Sequence, residues 1–215
     1  MRTLIITGAT GGLGSEVVRV LRDSYDCVAL YRGTAPEGVR GVQADLSDPE
    51  GVRSAIRSIA AESGPPYGIV HLAGGYAPGS LAETSDETWS HMLSLNLTAA
   101  FVAIRETLAV MDRESAGRIV VISSDAARTK AKGNVAYTVA KSALNTLVEL
   151  VAQELRGTPI TANALMPTAL DTPAMRKEMP REKLVPLERV AATIAFLLSE
   201  AGTNVSGALI PLAAR

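Results

Sequence analysis

Thr7-Gly8-Ala9-Thr10-Gly11-Gly12-Leu13-Gly14 follows a short β-branched run, Leu4-Ile5-Ile6, and leads into apolar residues at Leu13, Val17, Val20 and Leu21. The run reads as a strand buried on both faces, and the spacing after it as a helix. Glycine at 8 permits a tight turn, glycine at 12 lets a ligand approach the backbone, and glycine at 14 lets the helix pack close to the sheet. A pyrophosphate placed at this turn meets free N–H groups and the positive end of the helix. Glycines also serve ordinary turns, so the pattern draws its weight from its place between a first strand and a first helix.

Outward from this turn, strand and helix alternate along the chain. Further strands are expected at 27–31, 39–44, 68–72, 118–123, 160–166 and 208–212, with a glycine- and proline-containing loop at 33–38. Helices are expected from Asp48-Pro49 (an N-cap followed by proline in the first turn), from Ser85 toward Met111, over 134–155 and over 187–198. Such alternation belongs to parallel βαβ crossovers. The expected fold is α/β: one doubly wound, Rossmann-type domain over 1–215, with a mostly parallel sheet of about seven strands.

Composition narrows the partners. Basic and acidic residues number 21 and 22, a net charge of −1, so no basic field exists to draw in nucleic acid or anionic lipid. No purely apolar run approaches the ~18 residues of a membrane span. Met1-Arg2-Thr3 leads straight into a strand without a signal-peptide cleavage pattern, and a cytoplasmic location is expected. The single cysteine, Cys27, excludes an internal disulfide and reads as inert packing. His71 and His91 lack a third ligand, so no metal is expected. Trp89 and the methionines read as core or pocket wall.

Chemistry enters at Tyr137-Thr138-Val139-Ala140-Lys141, where the four-residue spacing sets phenol and ammonium on one helix face. The ammonium is expected to lower the tyrosine pKa, and such a phenol can pass a proton to a carbonyl oxygen as hydride arrives. Asn96 lies within an apolar seam that includes Met92, Leu97, Ala100 and Ile104, and a buried amide requires partners.

The Gly-x-x-x-Gly-x-Gly turn, the Tyr-x-x-x-Lys pair and Ser124, thirteen residues before Tyr137, resemble the short-chain dehydrogenase/reductase family over nearly the whole chain. The resemblance implies that Gly8, Thr10, Gly11, Gly12, Leu13 and Gly14 hold a dinucleotide. It implies that Ser124 orients the substrate, Tyr137 is the acid/base, Lys141 also holds the nicotinamide ribose, and Asn96 supports a water-linked proton path or a structural hydrogen bond. Asp45, followed by Leu46, matches an adenine-contacting acid, with a turn cap as the plainer role. Ala73-Gly74 matches the second half of the family's Asn-Asn-Ala-Gly motif, His71-Leu72 standing in place of the asparagines. Pro167 and Thr172 match a Pro-Gly-x-x-x-Thr segment whose threonine contacts the carboxamide, with Thr168 replacing glycine.

After the second strand, Leu30-Tyr31-Arg32-Gly33 lacks the carboxylate that would hold a ribose 2′-hydroxyl and repel a 2′-phosphate. Arg32 reads either as a fork for that phosphate or as a solvated loop residue; NADP(H) is expected, with NAD(H) the alternative. The lid between Thr172 and Pro186 is short for the family. Its wording, with Ala73-Gly74-Gly75-Tyr76, is similar to dihydropteridine reductases, a branch that lacks the serine and generally uses NADH. By the same resemblance the long helices near 86–111 and 134–155, whose outer residues Val135, Val139 and Val148 need cover, build a homodimer or homotetramer.

The expected activity is therefore NAD(P)(H)-dependent transfer of hydride between nicotinamide and a small-molecule carbonyl or alcohol. The alternatives are a pteridine-type reductase acting on a C=N bond and a non-catalytic dinucleotide-binding regulator. The complete Ser–Tyr–Lys–Asn set argues against the regulator.

Overall fold

In the computed structural model, which describes residues 1–130 and 132–214, the apolar runs form a seven-stranded sheet. Its strands are β1 (Arg2–Thr7), β2 (Tyr25–Tyr31), β3 (Arg40–Gln43), β4 (Gly68–His71), β5 (Gly117–Ile122), β6 (Ile160–Pro167) and β7 (Leu209–Leu212). The order is β3-β2-β1-β4-β5-β6-β7 and every pairing is parallel, where a mostly parallel sheet was expected. The eight α-helices are α1 (Gly12–Leu21), α2 (Pro49–Ser63), α3 (Asp86–Leu93), α4 (Ala99–Val110), α5 (Ala126–Thr129), α6 (Val135–Glu154), α7 (Pro173–Glu178) and α8 (Leu187–Leu198).

Alternation along each strand divides the core in two. Ile5, Ile69 and Val121 meet Ile56, Ala100 and Leu144 on the α2, α4 and α6 face. Ile6, Val70 and Val120 meet Val17, Leu21 and Ile194 on the α1 and α8 face. Burial of both faces accounts for the continuous apolar runs of the central strands. After β3 the chain crosses back to lay β4 beside β1, so the winding direction reverses between those two strands. Doubly wound sheets take their ligands in the crevice at the carboxyl ends of such a switch point.

Several expectations need correction. Val148 is fully buried in the α2/α4/α6 core rather than on the outer surface. Trp89 is 37% exposed and belongs neither to the core nor to the cleft wall described below. The helical stretch Asp86–Val110 is long and apolar enough to cross a membrane by length and composition, because its leucines, alanines, valines and isoleucine raise the average although serines, threonines and charged residues keep them from forming one apolar run. Here it packs against α2 and α6. That stretch is also not one regular helix: Ser94–Thr98 forms a π-helical turn.

Candidate active site

The glycine turn adopts the geometry its residues require. Gly8 has φ +71°, and a Cβ on Gly14 would lie 2.1 Å from the Gly8 carbonyl oxygen, so α1 starts as close to β1 as a backbone allows. Gly12 faces Thr172 at the start of the lid, where an added Cβ would lie 3.3 Å from the Thr172 methyl. No side chain caps the amino end of α1, which leaves its first N–H groups free for an anion.

Beyond the carboxyl ends of β4, β5 and β6 lies a cleft of about 590 Å³ whose lining includes Gly74, Asn96, Ser124, Tyr137, Lys141, Pro167 and Thr172. α6 carries the phenol and ammonium into it. Lys141 is almost fully buried, and its Nζ donates to the Ile122 carbonyl at 2.8 Å. Nζ stands 6.0 Å from the centre of the Tyr137 ring. Ser123 Oγ donates to the Lys141 carbonyl at 3.3 Å, tying the end of β5 to α6. Ser124 Oγ accepts the Ala126 N–H at 3.2 Å and stands beside the Tyr137 phenol.

Asn96 sits inside the π turn. Its Nδ2 donates to the Met92 carbonyl at 3.1 Å, and its Oδ1 accepts the Gly75 N–H at 3.1 Å. Wide turns of this kind recur at functional sites. Between Asn96 and Lys141 there is room only for a glycine: a Cβ on Gly74 would lie 2.8 Å from Asn96 Oδ1 and 3.3 Å from Lys141 Nζ. Gly74 thus lines the cleft with bare backbone, its place between Asn96 and Lys141 forming a glycine cradle.

A model of the family described as short chain dehydrogenase matches residues 2–183. The chain belongs to the short-chain dehydrogenase family. Among curated relatives it is 27% identical to the 3-oxoacyl-[acyl-carrier-protein] reductase MabA of Mycobacterium bovis, over 98% of this chain and 91% of that protein. It is 31% identical to the uncharacterized oxidoreductase YmfI of Bacillus subtilis, over 97% and 96%. Among solved structures, a blue fluorescent protein from a metagenomic library in complex with NADPH matches with a TM-score of 0.90 and 27% identity, covering 99% of this chain and 96% of that one.

Within this short-chain dehydrogenase fold, most of the sequence-derived residues gather at the switch-point crevice. Gly8 presses on the β4 loop, where its added Cβ would meet Ala73 N at 2.8 Å. Thr10 and Arg32 line a second cleft of about 670 Å³ beside α1, and the Arg32 side chain is 80% exposed with its guanidinium 4.0 Å from Asp45. Asp45 spends its Oδ1 on Ser47, accepting both the N–H and the hydroxyl, which is the plainer turn role. Leu46 packs onto the core beside α2. Thr168 stands in place of glycine outside the left-handed backbone region, and its N–H donates to the Leu212 carbonyl, prolonging the β6–β7 ladder. Thr172 caps α7, accepting the Met175 N–H at 3.2 Å.

The expected lowering of the tyrosine pKa does not occur in the chain alone. Burial raises the Tyr137 phenol and Tyr76 adds to the rise, while the Ser124 hydroxyl pulls the other way. Burial also brings the Lys141 amine down to about 8. Tyr76, noted in the sequence only for its likeness to dihydropteridine reductases and given no role at the site, meets Tyr137 edge-on at 5.1 Å between ring centroids. Its position directly after Gly74-Gly75 was the available signal.

Proposed function

We propose that the protein is an NADPH-dependent reductase of small carbonyl compounds. The observation that carries the reading is the convergence of Ser124, Tyr137, Lys141 and Asn96 on one cleft whose floor is the glycine cradle at Gly74. The free amino end of α1, the Gly74 cradle and the exposed Arg32 fit the pyrophosphate, the nicotinamide ribose and the 2′-phosphate respectively. Bound NADPH supplies the hydride.

The chain's own residues manage the oxygen and the proton. Ser124 donates to the substrate carbonyl oxygen and fixes its direction toward Tyr137. Tyr137 stays protonated at neutral pH because burial raises it, which is the form needed to donate as the carbonyl becomes an alkoxide. Lys141, with Nζ anchored on Ile122, holds ribose hydroxyls and places positive charge beside the resulting phenolate. Asn96 fixes the loop at Gly75 and borders the path by which Lys141 regains protons. The cleft wall of Leu72, Tyr76, Leu170, Met175 and Met179 suits an apolar chain next to the carbonyl. Likeness to a 3-oxoacyl reductase makes β-keto thioesters the first substrates to offer.

The test follows NADPH and NADH absorbance against β-keto thioesters, ketones, aldehydes and quinonoid pterin. NADPH oxidation by a carbonyl compound is expected, and Arg32→Ala should raise the KM for NADPH by about tenfold or more, with little change for NADH. Turnover of the pterin alone would replace the reading with the C=N reductase. Equal effects of Arg32→Ala on both cofactors would remove the phosphate role.

A further inference from the structure

His71 ends β4 where the family motif has asparagine, and it is fully buried. Thr7 and His71 stand opposite each other in the β1–β4 register, at the switch point itself. Thr7 Oγ1 lies 2.9 Å from His71 Nδ1 and accepts the Ala73 N–H at 3.3 Å. Immediately past this pair the two loops touch backbone to backbone, since a Cβ on Gly8 would meet Ala73 N at 2.8 Å and the Leu72 carbonyl carbon at 2.9 Å.

We infer that His71 is a positioning residue: acting through Thr7, it locks the β4 loop against the glycine turn, so that both present one preformed surface to the dinucleotide. The inference rests on the dinucleotide reading of this crevice. The Thr7 hydroxyl, already accepting from Ala73, has both a proton and a second lone pair to offer Nδ1, so the contact holds with either tautomer of a neutral ring. Burial, reinforced by the Lys141 ammonium, brings the imidazole pKa down to about 3, so the ring stays neutral and the contact with Thr7 is unchanged at every working pH. Nε2 has no partner among the described residues, an unfavourable burial that an apolar side chain would avoid. The imidazole's service is therefore at Nδ1. The lock reaches further through Gly74, whose backbone lies against Asn96 Oδ1 and Lys141 Nζ, so the seat of the β4 loop also sets the space beside the ammonium.

The experiment titrates NADPH by fluorescence into the wild type, Thr7→Val, His71→Leu, the double variant and His71→Asn, and compares Kd with kcat at saturating NADPH. Each single variant at the Thr7–His71 contact is expected to weaken Kd by about tenfold, and the double variant no further than the worse single one, because both cut the same link. His71→Asn, whose Oδ1 can stand where Nδ1 stood, is expected to stay within about threefold of wild type. In the weakened variants kcat should change less than Kd. Additive losses in the double variant, or His71→Asn no better than His71→Leu, would overturn the inference while leaving the cofactor reading intact. A wild-type chain that binds no dinucleotide would overturn both. Should His71→Leu fail to fold, Thr7→Ser against Thr7→Val makes the same comparison, and equal affinities for those two contradict the lock.

Discussion

Two buried bases give the chain a pH signature that single residues determine. In the unfolded chain His71 takes a proton near 6.5, whereas folded it waits until about 3. Between those values the unfolded state binds more protons, so stability falls as pH drops through the window. Lys141 titrates at about 8 folded against 10.5 unfolded, so its contribution makes stability rise as pH climbs between those values. Each slope is at most about 1.4 kcal/mol per pH unit. Urea unfolding from pH 3 to 10.5 should show a shallower acid slope in His71→Asn and a shallower alkaline rise in Lys141→Met. Slopes identical to wild type would mean that neither base is held neutral by the fold. The residue types at the site were legible in the sequence, Tyr137 and Lys141 from their spacing on one helix face and Ser124 from the family resemblance. Their proton affinities were not, because the rise of the Tyr137 phenol comes from burial, which appears only once α6 is seated on β5 and β6.

At the scale of elements, punctuation was the dependable signal. Asp48 accepts the Glu50 N–H and Pro49 opens α2, while Ser85 accepts the Thr88 N–H at the start of α3, as their residue types foretold. The π turn at Ser94–Thr98, within which Asn96 sets its amide on the Met92 carbonyl, left no trace in the apolar spacing. The outward face of α6 was misjudged for a related reason. With valine or leucine around its whole circumference, the pattern cannot say that Val148 faces the sheet while Val139 and Leu150 face outward. The edge strand β3 was read slightly long, since Val39 and Ala44 continue an extended look beyond the paired residues Arg40–Gln43.

For the molecule as a whole, the alternation of strands and helices was enough to give a parallel, doubly wound sheet, while the strand order, and with it the switch point and crevice, appears only in the fold. What the alternation also could not supply is the cover for α4 and α6, which present Phe101, Val139 and Leu150 at the surface. A second copy of the chain is the occupant the family resemblance implies. Sedimentation velocity is expected to show a dimer or tetramer, and Leu150→Glu with Phe101→Glu to shift it toward monomer with the fold retained; a monomeric wild type would contradict this. The central claim is that the Tyr137 phenol delivers the proton during NADPH-dependent carbonyl reduction, and Tyr137→Phe tests it most directly. Turnover should fall by about 10²–10⁴ while the Kd for NADPH stays within a few-fold of wild type. A phenylalanine variant that reduces the same carbonyl at the wild-type rate would contradict the account.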